Sequence, residues 1–87
     1  MERKQAVDFL KLPYRELVDL ALSAVNLTAK ERKVLDLRYL QGYTQEETAE
    51  ILDVSVNSVQ NWEKAALTKC ADVWNGKKWI LKIIEQT

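Results

Sequence analysis

The chain has 87 residues, with 13 basic and 13 acidic side chains and zero net charge. That length allows one domain with a modest core, and the charge balance speaks against a nonspecific polyanion binder. No histidine and a single cysteine, Cys70, exclude histidine metal sites, histidine general bases, an intramolecular disulfide and a cysteine-rich zinc site.

A hydrophobic fraction of 47% and a charged fraction of 30% are values of folded chains. One proline and two glycines are too few for a turn-rich β fold. No apolar run reaches the roughly 20 residues that span a bilayer, and the first residues lead into no apolar leader segment. The expectation is a reducing, cytoplasmic location with no membrane partner.

Helical periodicity runs through the chain. Residues 2–12 place Ala6, Val7, Phe9 and Leu10 on one side and predict a short amphipathic helix. Pro13 ends that helix or opens the next. Leu17, Val18, Ala21, Leu22 and Val25 recur at three- and four-residue spacing, the core face of a second helix over 14–25. Thr28 with Glu31 forms a capping-box pattern that opens a third helix. It runs to about Gln41 with Val34, Leu35, Leu37 and Leu40 inward, and Gly42 supplies a left-handed C-terminal stop. Thr44 with Glu47 repeats the box before a short fourth helix over 45–53, with Ala49, Ile51 and Leu52 inward. Ser55 caps a fifth helix, Val56 to about Val73, whose inward residues are Val59, Trp62, Ala66 and Leu67. Asn75-Gly76 breaks it. A last helix over 77–86 carries Trp79, Ile80, Ile83 and Ile84.

These elements predict an all-α fold, a small bundle of five to six helices containing a helix-turn-helix. Its parts are an N-terminal helical pair (1–26), the helix-turn-helix region (27–73) and a C-terminal helix (74–87), all in one compact domain. The helix-turn-helix is read from residues 45–62. Ala49 is the small residue such a motif needs where its helices cross. Leu52, Val54, Val59 and Trp62 take the buried places around the turn. Asp53 stands where glycine is usual, and aspartate tolerates the left-handed backbone better than most residues.

The run LTAKERKVLDLRYLQGYTQEETAEILDVSVNSVQNWEKAALTKC, residues 27–70, resembles region 4 of the bacterial sigma-70 family. The matching pieces are Leu27-Thr28, Glu31, Val34-Leu35, Leu37-Arg38-Tyr39, Gly42, Thr44, Glu46-Glu47, Ala49 and Ala65-Ala66-Leu67-Thr68-Lys69. The resemblance covers about half of the chain. It implies a DNA-binding domain like the one that reads the −35 promoter element, with RNA polymerase as a second partner. Similar modules occur in sigma-like regulators of phages and mobile elements and in phage terminase small subunits. Residues 1–26 do not resemble the promoter-melting region, so a self-sufficient initiation factor is not expected.

In a helix-turn-helix the second helix enters the major groove by its first turns. With Val59 and Trp62 inward, the outward face holds Val56, Asn57, Gln60, Asn61 and Lys64. Asparagine and glutamine can each bond adenine N6 and N7, and Val56 can touch a thymine methyl. The resemblance places Val56, Asn57, Gln60 and Asn61 at the promoter-reading positions. The charged residues common there are absent here, so an A/T-containing site other than the usual −35 sequence is expected. The expected phosphate contacts are Thr44, Gln45, Ser55, Ser58, Lys69, Arg38 and Lys33. Thr44 and Ser55 are needed as caps with or without DNA, and Arg38 and Lys33 could equally be solvated surface charges. Three or four neutralised phosphates would give a log–log salt slope of about −3 to −4.

Such weak electrostatics favour a homodimer, a higher oligomer or a partner already on DNA. Trp74, Trp79, Ile80, Ile83 and Ile84 form an apolar stripe suited to self-association or partner docking, or to core packing. The function read from these features is sequence-specific double-stranded DNA binding by a small transcriptional regulator. The alternatives are an adaptor docking on RNA polymerase or a sigma factor without reading DNA, and the DNA-recognition subunit of a packaging terminase. No catalytic pair is evident, no cofactor or metal is implied, and an enzyme is not expected.

Overall fold

The computed structural model describes residues 1–86, which form six helices and no strand. The helices are α1 (Arg3–Leu10), α2 (Arg15–Ser23), α3 (Ala29–Leu35), α4 (Gln45–Leu52), α5 (Val56–Trp74) and α6 (Lys78–Gln86), with α3 extended by a π-helical turn, Asp36–Leu40. No helix among the described residues is long and apolar enough to cross a membrane. The chain divides into two compact units, Met1–Asn26 with the residues from Leu67 onward, and Leu27–Ala66.

The first unit is built around Trp74, its largest fully buried side chain. The indole N–H donates to the Ala21 carbonyl at 2.9 Å. The Phe9 ring meets it edge-on, with centroids 5.0 Å apart. Ala6, Leu10, Val18, Leu22, Cys70 and Ile80 are buried in the same unit, and α1 packs on α6. Cys70, a thiol in no disulfide and with no exposure, is a packing residue. One expectation needs correction here. Leu17 is 38% exposed, because the buried stripe of α2 runs through Val18, Ala21 and Leu22 and leaves Leu17 about a quarter turn away. Val7 on α1 is half-buried.

The second unit is the helix-turn-helix with α3 laid against it. Both capping boxes form. Thr28 Oγ1 accepts from Glu31 N–H at 3.2 Å while Glu31 Oε1 accepts from Thr28 N–H at 2.8 Å. The same reciprocal pair joins Thr44 and Glu47 at 3.1 and 3.0 Å. Ser55 Oγ caps α5 by accepting from Ser58 N–H at 3.1 Å. Val34, Ala49 and Val59 form the core, with Leu52, Val54, Val56 and Trp62 packed against it.

Asp53 ends α4 in the left-handed region, φ 56° and ψ 50°, which turns the chain into α5. Gly42 takes φ 80° after the π turn. Ile51, expected inward, is 50% exposed: Thr48, Ala49 and Leu52 take the inner arc of α4, and Ile51 lies about a third of a turn off it. Trp62 is half-buried, with the Lys30 ammonium 5.0 Å from its ring centroid. The end of the third helix was expected as regular α-helix. Its last turn is instead the π turn, closed by the Gln41 N–H to Asp36 carbonyl bond at 3.0 Å.

Candidate DNA interface

Asn57, Gln60, Asn61 and Lys64 recur at three- and four-residue spacing on α5 and are exposed. The opposite arc holds Val59, Glu63 and Ala66, which are buried. Burial of that arc fixes which side of the helix faces outward, so the amide side chains share one surface. Val56 differs from this set. It is half-buried and packs against the Val34–Ala49–Val59 core.

The N-terminus of α4 lies beside this face. Gln60 Nε2 donates to Gln45 Oε1 at 3.2 Å, joining the first residue of α4 to the middle of the exposed row. Thr44 and Ser55 are exposed at the helix starts, and the hydroxyls of Ser55 and half-buried Ser58 lie 3.0 Å apart. Lys33 is exposed on α3. Lys69 is half-buried on the part of α5 that belongs to the first unit.

Arg38 has a different setting from the one expected of a phosphate donor. Its Nε donates to Glu63 Oε1 at 2.7 Å and its Nη1 to the Tyr43 carbonyl at 2.8 Å. The Tyr39 hydroxyl donates to the other Glu63 oxygen at 3.1 Å. A single carboxylate on α5 thus receives two adjacent residues of the π turn. Reading the sequence for function missed Glu63. Its signal was present: a charge at position 63 lies on the same arc as Val59, Ala66 and Leu67, where a charged side chain needs a partner.

Burial, and then the neighbouring Glu63 carboxylate, push the Tyr39 phenol up from 10.0 to about 12. The folded state therefore holds this proton where the unfolded state has released it. The contribution to stability is complete below about pH 10 and is lost as pH rises toward about 12. Urea midpoints at about pH 9 and about pH 11 should show this alkaline loss in the wild type and a smaller one in Tyr39→Phe. An equal loss in both would contradict the assignment.

A shallow apolar groove lies on another side of the same unit, lined by Ala29, Lys30, Lys33, Leu52, Val54 and Trp62. In the first unit, the stripe suited to self-association, partner docking or core packing divides between buried and partly exposed residues. Trp74 and Ile80 have no exposure, because a chain this short needs them to close its interior. Ile83 and Ile84 are half-buried, and Trp79 is 38% exposed.

A short α4, the left-handed turn at Asp53 and a longer α5 form a helix-turn-helix, the fold of a class of DNA-binding domains. Residues 25–72, more than half of the chain, match the family described as Sigma-70, region 4, and the chain belongs to that family. No curated protein and no solved structure matches it.

Proposed function

We propose that the protein is a small transcriptional regulator that reads a specific A/T-containing double-stranded DNA site with the first turns of α5. The observation that carries this reading is the exposed row of Asn57, Gln60 and Asn61, opposite a buried arc on a helix of the sigma-70 region 4 family. Asn61 gains nothing for the fold at an exposed position inside the helix, where asparagine is a poor helix former. Its amide, like that of glutamine, offers the paired donor and acceptor that adenine requires.

Gln45, the capping hydroxyls of Thr44 and Ser55, Ser58 and Lys64 hold the phosphates on either side. Arg38 serves the fold through Glu63 and Tyr43 rather than the phosphate backbone. Val56 adds an apolar edge that is only half available to a thymine methyl. Gln60→Ala and Asn61→Ala should each weaken binding to a selected site by about 1–3 kcal/mol and leave the melting temperature nearly unchanged. Fluorescence anisotropy with labelled duplex measures the first and thermal unfolding the second. Wild-type affinity in both variants would remove the base-reading assignment.

A second reading is supported by the groove between Lys30 and Trp62. Its apolar floor and lysine rim suit an acidic, partly apolar segment of RNA polymerase. With zero net charge on the chain, docking on polymerase would supply affinity that phosphate contacts alone do not. The two readings are compatible in one regulator, and the groove alone supports an adaptor that reads no DNA. Trp79, Ile83 and Ile84 are what remains of the stripe for any self-association.

A further inference from the structure

We propose that Gln45 is a positioning residue that makes Gln60 select adenine over guanine. The inference rests on the reading of α5 as the base-contacting helix and adds the discrimination built into it. A glutamine amide has two N–H donors and one carbonyl oxygen. Adenine presents a donor at N6 and an acceptor at N7, so it needs one N–H and the oxygen. Guanine presents two acceptors, O6 and N7, so it needs two donors. One Gln60 N–H is committed to Gln45 Oε1 at 3.2 Å. What remains is one donor and one acceptor, the pair that adenine matches. Toward guanine the same side chain has a single donor, and its oxygen faces O6 with no hydrogen between them.

The bond also fixes which end of the amide points inward. Gln45 is the first residue of α4, where the Thr44–Glu47 capping box sets the start of the helix. Its side chain therefore has a defined origin, and its oxygen is the acceptor that Gln60 meets. Without that acceptor the Gln60 amide can turn over about its last torsion and offer either both donors or the oxygen. Selectivity between purines then falls although every atom of Gln60 is still present.

The test compares four full-length proteins on two duplexes. The duplexes are a selected site and the same site with A·T changed to G·C at its most strongly preferred adenine. The proteins are the wild type, Gln60→Ala, Gln45→Ala and Gln45→Glu, with dissociation constants measured by anisotropy at fixed salt. The wild type should prefer adenine by about five- to 150-fold, the range of one good bidentate contact. Gln60→Ala should abolish that preference. Gln45→Ala should reduce it to within about threefold of Gln60→Ala, because the reader is unpinned. Gln45→Glu keeps an oxygen acceptor for Gln60 but places a negative charge near phosphate. It should bind both duplexes more weakly and keep the adenine preference, a rescue that a merely structural role for position 45 would not produce. An unchanged preference in Gln45→Ala, with loss in Gln60→Ala, overturns the proposal and leaves base reading by Gln60 intact. An unchanged preference in Gln60→Ala overturns both.

Discussion

Trp74→Ala should destabilise the protein by about 3–5 kcal/mol, the usual cost of removing a large aromatic side chain from a core. The indole has no exposure, meets Phe9 edge-on and donates its N–H to Ala21. Alanine would leave a cavity beside Phe9 and remove one of the two N–H donors to the Ala21 carbonyl, which keeps the Ala24 N–H at 3.3 Å. Domains of this size have stabilities near the lower end of about 5–15 kcal/mol, so the first unit should be largely unfolded near body temperature. Trp74→Phe separates the two contributions. It keeps a ring against Phe9 but loses the hydrogen bond, and should cost about 1–3 kcal/mol. Urea unfolding followed by circular dichroism measures both. A cost below about 1 kcal/mol for the alanine variant would mean that the indole is not the centre of this core. Trp74 also ends the helix whose first turns carry Asn57, Gln60 and Asn61. A folding defect here should therefore weaken DNA binding through the loss of folded protein, with no change in preferred sequence.

Glu63→Ala is expected to cost about 2–4 kcal/mol, the second largest effect. The carboxylate accepts from Arg38 at 2.7 Å and from Tyr39 at 3.1 Å, and the Arg38 and Glu63 side chains are only 23% and 12% exposed. Removing it leaves the partly buried phenol without its acceptor and the guanidinium with the Tyr43 carbonyl in place of two acceptors, which costs more than the pair itself contributes. The residual exposure keeps the estimate below that for a fully buried pair. Glu63→Gln retains one carbonyl oxygen and should fall between the wild type and the alanine variant. A cycle with Arg38→Ala should show strong coupling, because the second substitution costs little once the partner is gone. Additive effects would contradict the network. The consequence for function is indirect: Glu63 lies on the buried arc of α5, opposite the amide row.

The helix boundaries were legible because their signals are local and chemical. Thr28, Thr44 and Ser55 each cap a helix by the bond that their position predicts. Asp53 takes the left-handed turn despite not being glycine, since the short side chain tolerates φ 56°. Faces were legible only to within a quarter turn or so. Leu17 and Ile51 sit beside their helices' buried stripes, and apolar character alone does not separate a stripe from its edge. The π turn had no legible signal. It is bound up with the convergence of Arg38 and Tyr39 on Glu63, a contact between residues 24 and 25 positions apart. The Gln45–Gln60 bond was equally invisible, because two exposed glutamines on different helices obey no spacing rule. The Trp74–Ile80 stripe shows the limit of patterning most clearly. Its apolar spacing fits a core and an interface equally well, and only the burial of both residues decides between them.

Selection of binding sites from a randomised duplex DNA pool, at low salt and with the purified protein, tests the central claim most directly. The account predicts enrichment of a short A/T-containing motif by the wild type, and loss of that motif in a Gln60→Ala, Asn61→Ala double variant that still folds. A pool that stays random with folded wild-type protein would contradict it. The amide row would then be ordinary polar surface, and the groove beside Trp62 would become the place to look for the partner, beginning with RNA polymerase.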